Sequence, residues 1–314
     1  MKKYYFSIDI GGTTIKGGIV DENNNILCKN KVNTVVSSEP NYLVMSIMEL
    51  IKKLEDESGL SIKNSSGLGV GSPGMIDSQN GIIKFSGNLK LTNYPLKDEL
   101  SKLVPVPVKV ANDADIATLA ELKIGAGKNL KHFIMLTLGT GIGSGIVING
   151  ELLSNHIPLC GEIGHMKVLN KNIPCSCGEI NCYETIASTS ALSRLTIAAM
   201  QQNPESKMWT KYNLDNVNGK TVFDFLDSDE TAKKVFDEFI ENLGTGIVSL
   251  VNAFMPEAII LGGSVSNEKE TLTKPLEDFV NNHIYAKNIG IKVNIKPAEA
   301  TGCAGIVGGK LLFE

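Results

Sequence analysis

Two stretches of the chain repeat one design. "SIDIGGTTIKGGIV" (Ser7–Val20) and "MLTLGTGIGSGIV" (Met135–Val147) each run as an apolar strand, a Gly/Thr turn and a second apolar strand. A hairpin duplicated within 314 residues predicts two related halves, because a chain of this length divides readily into two cores. The expected fold class is α/β, with two lobes and an active-site cleft between them.

The segments around the hairpins agree. Tyr4–Ile10, the "IKGGIV" strand and the run from Ile26 predict an antiparallel meander, its second turn at "DENNN". Leu43, Ile47, Met48, Ile51 and Leu54 recur at helical spacing within residues 41–57, and "SGLGVGSPGMID" reads as a short buried strand ending in a turn. "VPVPVKVAND" is a strand that runs into the helix "ADIATLAELKIG", stopped by Gly125. Further helices are expected over Ser190–Met200, Ala232–Asn252 and Thr271–Asn282, with the strand "PEAIILGG" between the last two. A terminal helix, "GCAGIVGGKLLF", is suited to pack back on the first half, and Pro204–Lys220 reads as a polar surface insertion. The expected division is a small lobe of residues 1–115 plus 301–314 and a large lobe of residues 116–300.

Composition narrows the function. The chain is 42% hydrophobic and 20% charged, with no apolar run long enough for a membrane span. The first strand begins at Tyr4 with no cationic, apolar leader ahead of it, which predicts a soluble cytoplasmic protein. A net charge of -4, without clustered Lys and Arg among aromatics, points away from a nucleic-acid partner. Cytoplasmic thiols stay reduced, so clustered cysteines there suggest metal ligands before disulfides.

The Gly-rich turns must be sorted by context. "GTGIGSG" looks like a dinucleotide fingerprint, but a strand follows it where that motif needs a helix, and no Walker-type loop is present. A single Gly turn would only join strands. Two matched ones, Gly11-Gly12-Thr13-Thr14 and Gly139-Thr140-Gly141, offer backbone N–H groups and hydroxyls to phosphate oxygens. Asp9 places a carboxylate at the end of an apolar strand, which suits Mg2+. Asn112 and Asp113 lie where a strand meets a helix, so Asp113 is either a reactive carboxylate or a plain helix cap.

The stretch "GEIGHMKVLNKNIPCSCGEINCYE" (Gly161–Glu184) holds three of the six cysteines. Cys175, Cys177 and Cys182 with His165 make up the donor set of a closed, structural tetrahedral zinc site, whereas a C-x-C pair is too close for an ordinary disulfide. Cys28, Cys160 and Cys303 lie in apolar or Gly-rich surroundings and are expected to be buried thiols. A zinc ion with four protein ligands organises a loop, which leaves Glu162, Glu184 and the second nitrogen of His165 to meet a ligand. Carboxylates and an imidazole in a cleft suit vicinal hydroxyls, hence a sugar.

Taken together these residues resemble the ROK family, bacterial sugar kinases and related repressors within the actin-like ATPase superfamily, whose fold is ribonuclease H-like. "DIGGTTIKGGI" and "LGTGIGSGIV" resemble its phosphate motifs, "VANDAD" its catalytic segment, "GEIGH" and "CSCGEINCYE" its signature, and "IILGGSVS" its adenosine region. The resemblance implies that Asp113 is the general base and that Gly74, Asn88, Asn112, Glu162, His165 and Glu184 join it around the sugar. It implies ATP and Mg2+ held by Asp9, Gly11, Gly12, Thr13, Thr14, Lys16, Gly139, Thr140, Gly141, Gly262 and Gly263, and zinc held by His165, Cys175, Cys177 and Cys182. Asn181, Ser144, Cys303 and Cys160 depart from the usual residues, and Cys160 stands beside the sugar contacts.

The implied activity is transfer of the ATP γ-phosphoryl group to the 6-hydroxyl of a hexose, most simply glucose; N-acetylmannosamine, fructose and β-glucosides are the alternatives. Loss of zinc is expected to raise the sugar KM and leave ATP affinity little changed. The rival is a silent sugar-sensing regulator. It predicts a DNA-binding segment ahead of Tyr4 and loss of the base, and Asp113 is present. Relatives of this kind are commonly dimers or tetramers, so a homo-oligomer is expected.

Overall fold

The computed structural model describes residues 3–35, 41–153, 160–168 and 172–314. They form two compact units, Met1–Lys128 with Glu151–Gly161 and Glu299–Glu314, and Asn129–Gly150 with Glu162–Ala298.

The first unit opens with β1 (Tyr4–Ile10), β2 (Thr14–Asp21) and β3 (Ile26–Asn33), paired as the antiparallel meander expected from the sequence. Helix α1 (Asn41–Ser58) follows and buries Leu43, Ile47, Leu50, Ile51 and Leu54 in the core. It crosses to β4 (Leu68–Ser72), which pairs parallel with β1. Strands β5 (Met75–Asp77), β6 (Ile82–Ser86) and β7 (Leu91–Tyr94) then form a separate antiparallel sheet. The sequence did not announce this sheet, because Gly81, Gly87 and left-handed Lys90 and Asn93 break its alternation. After α2 (Leu96–Ser101), β8 (Val108–Asn112) pairs parallel with β4 and leads into α3 (Asp113–Ile124). The main sheet order is β3-β2-β1-β4-β8.

The second unit repeats the plan. Its hairpin is β9 (Phe133–Leu138) and β10 (Ile142–Ile148). Next come β11 (Glu151–Leu152), which belongs to the first unit, then α4 (Glu184–Ala187), α5 (Thr189–Gln202) and the long α6 (Glu230–Phe254). Strand β12 (Ala258–Gly263) pairs parallel with β9, and after α7 (Glu270–His283) strand β13 (Asn294–Pro297) pairs parallel with β12. The order β10-β9-β12-β13 therefore matches β2-β1-β4-β8, so the duplication read from two hairpins extends to four strands in each unit.

The chain returns to the first unit as α8 (Ala304–Leu311), which packs on α3 and β1. The approach is backbone to backbone: a Cβ at Gly308 would lie 1.8 Å from the Ile116 carbonyl oxygen. Fully buried Glu121 reinforces it, its carboxylate accepting Ala126 N at 2.7 Å, Glu299 N at 3.1 Å and Ala300 N at 2.7 Å. These contacts bind all of α3 to the first unit, so the compact unit ends at Lys128 where the sequence suggested residue 115.

Pro204–Lys220 lies mostly at the surface, as the sequence suggested, and is pinned to the protein at a few points. Met208 is fully buried, the Trp209 indole N–H donates to Met200 O at 3.1 Å, and Ser206 Oγ donates to Asp229 at 2.5 Å. Most of its polar residues face water, while buried Ser206 joins Asp229, the cap of α6. Cys28, Cys160 and Cys303 are half-buried where the sequence suggested buried thiols. Among the described residues no helix is long and apolar enough to cross a membrane.

The closeness of α8 to α3 sets a test. Gly308→Ala should destabilise the protein by about 1–3 kcal/mol or more, the usual cost of an overpacked contact with unyielding backbone. Urea unfolding measures it, and an unchanged midpoint would contradict the contact.

Candidate functional site

The first Gly/Thr turn closes the β1–β2 hairpin, Gly11 N donating to Thr14 O at 3.0 Å. Thr34 holds it from outside, through Thr34 N to Thr13 O at 3.0 Å and Thr34 Oγ1 to Gly11 O at 2.7 Å, while the Thr13 side chain is exposed. Asp9 stands at the end of β1 opposite Lys16. The first turn of α8 covers it: a Cβ at Gly305 would lie 2.4 Å from the Asp9 carboxyl carbon. Burial pushes this carboxyl above its ordinary pKa, and Lys16 opposes the shift. A single carboxylate oxygen donor so placed fits Mg2+, which takes one or two carboxylates together with phosphate oxygens.

At the start of α3 the structure separates two roles that the sequence left joined. Asn112 is the cap, its Oδ1 accepting Ala114 N at 2.8 Å and Asp115 N at 3.3 Å. Its Nδ2 donates to Gly74 O at 2.8 Å, which fixes the turn after β4 beside it. Asp113 is then the first helical residue, with Oδ1 accepting Ala114 N at 3.0 Å. The plain cap reading of Asp113 is therefore displaced by its neighbour. Asn88 is exposed on the turn that follows β6.

In the second unit the turn Gly139-Thr140-Gly141 borders a cavity of about 760 Å³, a volume typical of small-molecule sites. The N-terminus of α5 forms one wall. Ser188 caps that helix by accepting Ala191 N at 3.1 Å, Thr189 Oγ1 donates to Leu138 O at 3.1 Å, and Ser190 N donates to Gly139 O at 3.3 Å. Ser264–Glu268, just beyond Gly262 and Gly263, and Val217–Lys220 complete the lining. A helix N-terminus next to a Gly/Thr turn is a natural seat for phosphate. The Ser-Thr-Ser run before an apolar helix was a readable cap signal, whereas nothing in the spacing placed Asn218 or Lys220 there.

The signature segment lies against β10. Ile163 N donates to Ser144 Oγ at 3.2 Å, so the departure noted at Ser144 acts as an anchor for the Ile163–His165 turn. Glu184 Oε2 accepts Ile142 N at 3.3 Å, and Glu184 Oε1 lies 2.9 Å from Cys175 Sγ. Glu162 stays solvent-accessible, yet crowding by the protein pushes its carboxyl upward, with His165 opposing and Glu184 adding to the shift.

His165, Cys175, Cys177 and Cys182 come together as the sequence suggested, their donor atoms all within 4.8 Å of one another. Cys177 Sγ lies 3.7 Å from Cys182 Sγ, and Cys175 Sγ lies 3.8 Å from His165 Nδ1. A zinc–sulfur bond of about 2.3 Å in a tetrahedron implies edges of about 3.8 Å, so the donor set fits zinc. The cluster is seated from below by buried Cys182 and Tyr183, whose phenol donates to Leu243 O on α6. Residues 169–171 of this stretch lie outside the described residues.

Two units built on the same hairpin-led sheet define an actin-like ATPase fold. The profile of the ROK family matches residues 5–314, and the chain belongs to that family. It is 34% identical to a glucokinase of Halalkalibacterium halodurans over 99% of this chain and 95% of that one. A ROK family glucokinase from Streptomyces griseus, crystallised with glucose and AMPPNP, is 30% identical and superposes with a TM-score of 0.88 over 98% of each chain. A xylose repressor of Caldicellulosiruptor bescii is 26% identical over 90% of this chain and 72% of that one.

The raised pKa of Asp9 has a measurable sign. An acid whose folded pKa lies above its unfolded value loses stability as pH rises through the two values, so the charged group is a burden at neutral pH. Asp9→Asn should therefore raise Tm at pH 7, with the gain shrinking toward pH 4, while it impairs function. Calorimetry across that range checks it; a lowered Tm at pH 7 would mean that the carboxylate is a net stabiliser.

Proposed function

We propose that this chain is an ATP-dependent sugar kinase that transfers the γ-phosphoryl group to the 6-hydroxyl of a hexose, glucose first among them. The observation that carries the reading is the cavity of the second unit, of nucleotide size and bordered by a Gly/Thr turn and a helix N-terminus. Kinship with glucokinases, one of them crystallised with glucose and an ATP analogue, supports the same donor and acceptor.

In this reading Asp113 takes the proton of the attacking hydroxyl, since an alcohol is a weak nucleophile until a base removes it. Glu162, Glu184 and His165, with Gly74, Asn88 and Asn112, hold the sugar hydroxyls, and paired acceptors and donors suit a polyol. The turns at Gly11–Thr14 and Gly139–Gly141, with Lys16, Gly262 and Gly263, hold the nucleotide. Asp9 would hold Mg2+, which offsets charge on the transferring phosphoryl group when bound. His165, Cys175, Cys177 and Cys182 would hold zinc, whose four protein ligands give it a structural task. The protein is expected in the cytoplasm as a dimer or tetramer.

The kinship with a xylose repressor keeps a second reading, a sugar sensor without turnover. Retention of Asp113 favours the kinase. ADP release measured across glucose, N-acetylmannosamine, N-acetylglucosamine, fructose and cellobiose should give the highest kcat/KM for glucose. No sugar-dependent release with any of them would sink the kinase reading in favour of the sensor. Asp113→Asn should lower kcat by about 10²–10⁴-fold, the usual worth of a general base, with sugar affinity unchanged by calorimetry. A variant that kept more than about a tenth of the turnover would remove Asp113 from that role.

A further inference from the structure

Ile142 opens β10 directly after the Gly139-Thr140-Gly141 turn, and its backbone N–H and C=O lie in consecutive peptides. It is gripped on both sides. Its N–H donates to Glu184 Oε2 at 3.3 Å, and a Cβ at Gly141 would come within 2.1 Å of that same oxygen. On its other side, a Cβ at Gly164 would lie 2.3 Å from Ile142 O, so the Ile163–His165 turn rests directly on this carbonyl. Ile163 N is tied to Ser144 Oγ two residues further along β10.

Both gripping segments end in metal donors. Gly164 precedes His165, and Glu184 follows Cys182 with only buried Tyr183 between them. We propose that the three-cysteine, one-histidine site is a clamp on the nucleotide-phosphate turn, so that metal occupancy sets nucleotide affinity as well as sugar affinity. The inference rests on the nucleotide reading of that turn, and it departs from the expectation that metal loss spares ATP. Joining the four donors removes freedom from the segments around His165 and Cys182. A turn already held in place then has less order to gain when phosphate binds to its N–H groups. The linkage is reciprocal: bound nucleotide should hold zinc more firmly.

The experiment uses the full chain with its zinc, its metal content fixed by mass spectrometry. AMPPNP is titrated calorimetrically without sugar into wild type, into Cys177→Ser, and into wild type stripped by chelator and reloaded. Cys177 is the exposed ligand, so its replacement disturbs packing least. Zinc loss should raise the AMPPNP Kd by about tenfold, well within ordinary coupling, and reloading should restore it. Release of zinc to a chromogenic chelator should slow when AMPPNP is bound. Should Cys177→Ser fail to fold, the strip-and-reload arm decides alone. A zinc-free, cooperatively folded protein that binds AMPPNP as tightly as wild type overturns the clamp. Wild type without zinc removes its premise. Wild type with zinc that binds no AMPPNP brings down the nucleotide reading, and the clamp with it.

Discussion

One residue's backbone, that of Ile142, carries the organisation of the second unit's site. Its N–H meets the Glu184 carboxylate, and its carbonyl meets a turn with no side chain at Gly164. Upstream lies the Gly/Thr turn that borders the cavity, and on either side lie the segments that supply His165 and Cys182. Each contact is short because a glycine removes the atoms that would hold the partners apart. A hydrogen bond at an enclosed backbone group is also costly to leave unmade, so the arrangement resists partial loosening.

The first unit meets the same demand by other means. Asp9 lies near the end of β1 and Asp113 just beyond the end of β8, at the start of α3, with β4 between those strands. The sheet register fixes the strand ends, while α3 meets α8 by glycine contact and its Glu121 carboxylate holds the segment that leads into α8. Burying that acid is tolerable because three backbone N–H groups satisfy it; unpaired, it would cost several kcal/mol.

Family membership limits the choice of activity without choosing the sugar. Proteins named glucokinase and xylose repressor both align with most of this chain, so the family holds kinases and repressors alike. Epimers and N-acetylated sugars differ by single groups, and discrimination between them rests on hydrogen bonds placed to a fraction of an ångström.

The sequence by itself determined the duplicated hairpins, the alternation of helix and strand, the metal donor set and the candidate carboxylates. All of these are local, written in periodicity, turn residues and spacing over a few tens of residues. Tertiary structure alone decided which residue caps α3, giving that role to Asn112 because its side chain also reaches Gly74. It alone brought Asn218 and Lys220 to the cavity, since nothing in a polar surface segment marks which of its residues will meet a distant turn. It alone revealed the three-stranded sheet β5–β7, whose strands are too short for their alternation to stand out. The grip on Ile142 was beyond reach of spacing for the same reason: glycines and a carboxylate some twenty to forty residues apart acquire meaning only when the chain brings them around one residue's backbone.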